Sequence, residues 1–148
     1  THPYRVEQAR KVGKGLVIDA AKDNPIEAIR DATGGKGVGG VLECSGNPDA
    51  QRQAATVASR GATIVYVGGG GSPDLSVDFA DVLQKDLTIR SNSVFSMASY
   101  SDEVEFLLRH PIPLDEIITH RFKLEQAVEA FSLFDSGASG KVIFEWQQ

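Results

Sequence analysis

Two short, β-rich apolar runs constrain this chain more than anything else in it. Each stops in small or turn-forming residues, and one helix-length segment separates them. The first is Val41-Leu42-Glu43-Cys44-Ser45-Gly46-Asn47-Pro48-Asp49; the second is Ala62-Thr63-Ile64-Val65-Tyr66-Val67-Gly68-Gly69-Gly70-Gly71. Runs of this kind joined by a helix are neighbours in a parallel sheet, and a ligand cleft in such a sheet lies over the carboxyl ends of the strands.

The flanking sequence continues the alternation. Pro3 suits a first helical turn, with Val6, Ala9 and Val12 at helical spacing and Gly13 as the stop. Leu16-Val17-Ile18-Asp19 reads as a short strand. Asn24-Pro25-Ile26-Glu27 reads as a cap, a first-turn proline and a capping-box glutamate, opening a helix that ends at Thr33-Gly34-Gly35. The strand 41–44 leads to a second cap-plus-proline start at Asn47-Pro48. The helix that follows runs through Ala54, Val57 and Ala58 to a stop at Gly61, and a strand takes over at 63–67. Residues 78–85 read as a short helix and 87–94 as another strand. A further helix carries Val104, Leu107 and Leu108 on one stripe until Pro111-Ile112-Pro113 breaks it. Residues 117–122 are extended, Leu124 to Phe134 mark the last helix with Gly137 as its cap, and Lys141-Val142-Ile143-Phe144 closes the chain as a strand. There is no internal repeat, no low-complexity tract and no linker long enough to divide the chain. The expectation is one α/β domain over residues 1–148, built on a doubly wound parallel sheet.

With 148 residues the chain can bury a sizeable core, and 41% hydrophobic with 24% charged residues is ordinary globular usage. A net charge of −5 gives no reason to expect nucleic acid or an anionic membrane surface as partner. No apolar run approaches the roughly 20 residues of a membrane span, and Thr1-His2-Pro3-Tyr4-Arg5 does not read as a signal peptide. The single cysteine, Cys44, excludes an internal disulfide, and His2, His110 and His120 have no metal-ligand spacing. A cytoplasmic location is the default expectation.

Taken in order, His2-Pro3-Tyr4-Arg5-Val6-Glu7-Gln8-Ala9-Arg10, Val17-Ile18-Asp19, Leu42-Glu43-Cys44-Ser45-Gly46, residues 64–69, Ile118-Thr119-His120-Arg121-Phe122 and Ser136-Gly137-Ala138-Ser139-Gly140-Lys141-Val142-Ile143 carry a resemblance. The chain resembles the cofactor-binding half of zinc-type medium-chain dehydrogenases, the alcohol, sorbitol and threonine dehydrogenase group. The resemblance implies a Rossmann-like fold, NAD or NADP as cofactor, and an alcohol or polyol as small-molecule substrate of the parent enzyme. In that enzyme a zinc ion polarises the alcohol oxygen while hydride passes to nicotinamide. Two departures stand beside the match. The family's Gly-x-Gly-x-x-Gly fingerprint is absent from this sequence, and so is the catalytic domain that supplies the zinc ligands. The chain therefore reads as a fragment or truncated relative, with no catalytic residues and no metal ligands of its own, and inactive by itself.

What the resemblance assigns is a set of cofactor contacts. Arg5 falls where the family places a basic residue beside the adenosine ribose; the alternative is an exposed arginine at a helix start. Cys44, Ser45, Gly46 and Asn47 match the strand end flanking adenine and its ribose, with Cys44 expected as a buried small hydrophobe rather than a nucleophile. Val67, Gly68 and Gly69 match the stretch whose backbone faces nicotinamide, although the run 68–71 also reads simply as a turn. Asn92 and Val94 align with the next strand's contacts to the carboxamide. Lys141 sits where a basic group often reaches the phosphates, or is a plain surface lysine. His110 and His120 read as surface or hydrogen-bonded. Glu43 lies inside a strand, and if alternation buries it, it needs a partner the sequence does not name.

In the doubly wound order 3-2-1-4-5-6, residues 16–19 take third place and 41–44 fourth, so the absent first and second strands belong between them. The remaining block of three strands has an open inner edge. Three outcomes follow: the upstream strands exist in the parent, the third strand slides across to the fourth, or two copies pair. The family also dimerises near residues 89–94, so a homo-oligomer is expected. A non-catalytic oligomerisation or binding module is the competing reading.

Overall fold

Along the chain the elements run α1 (Pro3–Val12), α2 (Pro25–Ala32), β1 (Val38–Glu43), α3 (Pro48–Val57), β2 (Ala58–Tyr66), α4 (Phe79–Lys85), β3 (Thr88–Ser91), α5 (Tyr100–Arg109), α6 (Leu114–Ile117), β4 (Ile118–Phe122), α7 (Ala127–Asp135) and β5 (Lys141–Phe144), with single 3-10 turns before α5 and α7. The computed structural model describes residues 2–69, 74–94 and 96–146. Gly70 and Gly71, the far end of the glycine run, lie outside the described residues.

Local chemistry sets the helix starts. The Asn24 carboxamide oxygen accepts from Ile26 N at 3.0 Å, that of Asn47 from Asp49 N at 2.8 Å, and an Asp78 carboxylate oxygen from Ala80 N at 2.8 Å. Each satisfies a first-turn N–H that the helix cannot, an arrangement worth about 1 kcal/mol. Pro25 and Pro48 occupy first-turn positions where no N–H is needed.

The chain divides into two compact units, residues 24–101 and residues 1–23 with 102–148. In the first, β1, β2 and β3 form a three-stranded sheet in that order, both pairs parallel. On the central strand β2, Ala62, Ile64 and Tyr66 are buried at every second position and pack with Ala54 and Ala55 of α3. Lys85, at the end of α4, donates to the carbonyls of Ala55 at 2.9 Å and Thr56 at 3.0 Å while pairing with Asp81, so its charge sits at the C-terminal end of α3. The second unit pairs β4 with β5, again parallel. Thr119 Oγ1 accepts from Gly140 N at 2.9 Å, and Glu145 N donates to Phe122 O at 2.8 Å.

The three-strand block is as expected. Three local expectations are corrected. Residues 16–19 form no strand, and among the described residues they neither slide across to β1 nor pair elsewhere. Extended backbone becomes a strand only against a partner. Here the chain instead turns on Asp19, whose carboxylate accepts from Ala21 N at 3.1 Å and whose carbonyl accepts from Lys22 N at 2.8 Å. The helix expected through Ala58 stops at Val57, and β2 begins at Ala58. Gly61, at φ +71, sits within that strand, in the stretch where the register against β1 jumps from Val38↔Ala58 to Gly40↔Thr63. Its positive φ serves a bulge rather than a helix stop. Finally, the strand expected over 87–94 contracts to Thr88–Ser91, and Val94 lies beyond it at φ +53.

Candidate functional site at the strand ends

Parallel pairing brings three carboxyl ends to one side of the sheet. Cys44, Ser45, Gly46 and Asn47 follow β1; Val67, Gly68 and Gly69 follow β2; Asn92 and Val94 follow β3. Backbone bonds tie these ends together. The Glu43 carbonyl accepts from Val67 N at 2.8 Å and Gly68 N at 3.0 Å, and the Tyr66 carbonyl accepts from Asn92 N at 3.2 Å. The Asn92 carboxamide donates to Val94 O at 3.2 Å.

Glu43 is the hub of this group, although no partner for it could be named from the sequence. It is only 5% exposed. Its carboxylate accepts from Ser45 N at 2.8 Å, from the Ser45 hydroxyl, and from Gly46 N at 3.0 Å. Burial alone pushes this carboxyl up; the Ser45 hydroxyl and the Ser45 and Gly46 N–H groups more than offset that, leaving it below the ordinary carboxylate value. Tyr66 lies opposite Glu43 in the register, and its phenol donates to Gln51 O at 3.1 Å. Burial, and then the Glu43 charge, push that phenol up. Gln51, itself buried, accepts from Ser76 N at 3.0 Å. None of these three residues stood among the expected contacts. The signal available was a strand-final carboxylate two residues before a serine and three before a glycine.

The depressed Glu43 pKa has a testable sign. Its stabilisation is present above the unfolded-state carboxylate value, about 4.3, and is lost as pH falls through the lower folded value. The thermal midpoint of the unaltered chain should therefore fall more steeply on acidification than that of Glu43→Gln. Scanning calorimetry across the acid range checks this, and parallel curves would refute it.

The glycines are used differently from one another. A Cβ on Gly68 would lie 2.3 Å from Gly46 N, and Gly46 itself holds φ +68. The close approach these two permit is of chain on chain. Among the described residues no atom lies within 4 Å of where a Cβ on Gly69 would stand. Asn47 spends its carboxamide oxygen on the α3 cap. Cys44 is exposed, which overturns the expectation of a buried small hydrophobe. Alternation turns Glu43 inward and Cys44 outward because the carboxylate finds its donors inside.

Arg5 and Lys141 belong to the other unit. Arg5 donates to Ser139 O at 3.1 Å and Phe134 O at 3.4 Å, with its guanidinium 5.6 Å from the Phe134 ring centre. Lys141 is exposed at the start of β5, on the rim of an apolar groove of about 250 Å³ lined by Phe131, Phe134 and Phe144. His120 Nδ1 shares a 2.9 Å hydrogen bond with Thr119, and His110 packs on Phe106 with ring centres 4.6 Å apart. Among the described residues no three His, Cys, Asp or Glu side chains cluster to hold a metal ion, so the donor set does not fit zinc. Among them, too, no helix is long and apolar enough to cross a membrane.

The family model described as zinc-binding dehydrogenase matches residues 1–109. The L-threonine 3-dehydrogenase of Symbiobacterium thermophilum is 37% identical over 143 residues, which cover 95% of this chain and 40% of that enzyme. That of Escherichia coli O17:K52:H18 is 33% identical, covering 97% and 42%. The alcohol dehydrogenase TADH from Thermus sp. ATN1 superposes with a TM-score of 0.84 at 28% identity, covering 95% of this chain and 40% of that one. An alcohol dehydrogenase from E. coli CFT073, solved with its cofactor NADH, superposes at 0.79 with 25% identity, covering 95% and 41%. The chain thus spans about two fifths of the length of these relatives.

Proposed function

The chain belongs to the zinc-binding dehydrogenase family, and from that premise we propose that residues 1–148 are part of its NAD(P)-binding domain, with the carboxyl ends of β1, β2 and β3 as one wall of the dinucleotide cleft. The observation that carries this reading is the junction of those ends. Glu43 and Tyr66 carbonyls bind the next strand's N–H groups, and among the described residues none crowds the place of a Cβ on Gly69. Cys44 to Asn47 face the adenosine half and Val67 to Gly69 the nicotinamide half; Asn92 and Val94 adjoin the carboxamide. By resemblance alone Arg5 and Lys141 remain the candidate cations for ribose and phosphate, and Arg5 already spends donors on two carbonyls of its own unit.

In the whole protein the activity proposed is hydride transfer between a secondary alcohol and the nicotinamide ring, with zinc held by residues outside this set. L-threonine, named by the curated relatives, joins simple alcohols and polyols as a candidate substrate. The test is direct. The chain should take up NADH, seen as a shift in its fluorescence, and should not reduce NAD when given 2-propanol, sorbitol or L-threonine. Turnover would overturn the claim that this chain lacks the catalytic apparatus; no uptake of NADH would overturn the cleft.

One observation favours a second reading, that of an oligomerisation module. On β1, the edge strand among the described residues, the apolar side chain of Leu42 is 73% exposed. A clean monomer by light scattering at working concentrations sinks that reading.

A further inference from the structure

A buried charge at the end of β1 has a consequence for whatever ligand meets that strand. Glu43 gathers three donors from the turn that follows it, Ser45 N, the Ser45 hydroxyl and Gly46 N. Bonds to an ionised acceptor are the stronger kind, and opening the turn would strand a carboxylate that burial makes expensive to leave unpaired. The serine hydroxyl has a single hydrogen, and it goes to Glu43. One of its lone pairs takes Asn47 N–H at 3.1 Å, so the same hydroxyl also fixes the residue that caps α3. Gly46 is held at φ +68 directly over Gly68. The titratable group that faces Glu43 from the neighbouring strand is the Tyr66 phenol, already bonded to Gln51.

We propose that Glu43 is a positioning residue that shapes the turn 44–47 for a nucleotide, and that it fixes the polarity of Ser45. With its hydrogen committed, Ser45 meets a ligand as an acceptor only. It suits a ribose hydroxyl or the exocyclic amine of a base, and it repels a phosphate oxygen, as does the carboxylate behind it. The turn therefore offers a ligand an acceptor and not an anion site, which suits the adenosine side that the resemblance assigns to it. This rests on the cleft reading above and goes beyond it by naming the residue that sets the wall and the chemistry the wall accepts.

The experiment has two arms. In the unliganded chain, Glu43→Gln is expected to speed amide exchange at Ser45 and Gly46 by about tenfold or more, the scale of a lost charge-assisted bond, while Ile64 and Val65 within β2 keep their rates. In the binding arm, the same variant should weaken 5′-AMP and NADH by about tenfold but leave reduced nicotinamide mononucleotide unchanged. Ser45→Ala should share much of that loss, and Ser45→Thr, which keeps the hydroxyl, should restore it. A variant that is merely loosened would lose both halves of the dinucleotide together. Unchanged exchange at Ser45 and Gly46, or equal losses for the two mononucleotides, overturns the proposal. If the unaltered chain takes up neither NADH nor 5′-AMP, the cleft reading itself fails, and the exchange arm still decides on its own whether Glu43 holds the turn.

Discussion

Replacing Gly68 by alanine is expected to destabilise the protein by about 3 kcal/mol, the upper end of the usual overpacking range, whereas alanine at Gly69 should change stability by no more than about 0.5 kcal/mol. The two positions are adjacent and chemically identical, so propensity cannot separate them. Geometry does. A Cβ at position 68 would stand 2.3 Å from Gly46 N, 2.6 Å from Cys44 C and 2.7 Å from Ser45 C. All three atoms are backbone, and no flexible side-chain end can swing away. Relief requires moving the turn 44–47 off the end of β2, which would break the bonds that Val67 N and Gly68 N make to the Glu43 carbonyl. The lower chain entropy of unfolded alanine offsets well under half of this. At Gly69 no atom of the described residues stands within 4 Å, so a methyl group there meets none of them, and on the cleft reading that is where nicotinamide arrives. Gly69→Ala should thus keep its urea midpoint and lose NADH affinity, while Gly68→Ala loses the midpoint. Equal urea midpoints for Gly68→Ala and the unaltered chain would show that the two strand ends do not cross as described.

That contrast shows where the sequence was legible and where it was not. Helix starts were readable because a cap is a contact within three residues, as Asn24, Asn47 and Asp78 each show. The order of strands in the three-strand block was readable too, since β-rich runs alternating with helix-length segments admit few topologies. Residues 16–19 were misread because strand character belongs to a pair, and sequence pattern describes only one member. Gly61 was misread because a helix stop and a bulge ask for the same positive φ. Cys44 was misread through parity. Alternation leaves room inside for one of two adjacent residues, and Glu43 takes it by finding its donors two and three residues downstream. The chemistry of the site was therefore present in the letters Glu-Cys-Ser-Gly. It could be recognised only once the turn had folded back on its own carboxylate.

Ile64→Ala is expected to have the other large effect, a loss of about 3 to 5 kcal/mol, the upper part of the range for truncating a buried isoleucine. Ile64 is fully buried on the central strand. The buried cluster around it consists of four alanines and Tyr66, with Val41, Val77, Leu87 and Ile89 packed partly buried at its margin. Alanines lend a core close packing but little transferable area, and Ile64 is the large aliphatic side chain that this cluster buries fully. Neighbours that are already small cannot collapse into the space it leaves, and an uncollapsed cavity adds to the lost transfer energy. A domain of this size holds on the order of 5 to 15 kcal/mol in total, so the variant should be substantially unfolded at 37 °C. Ile64→Val, which removes one methylene, should lose only about 1 kcal/mol. Leu42→Ala, at a side chain 73% exposed, should lie within about 0.5 kcal/mol of the unaltered chain. Chemical denaturation of the three variants orders them. A Leu42→Ala loss as large as that of Ile64→Ala would mean that β1 is covered in solution, which is also the outcome the oligomerisation reading requires.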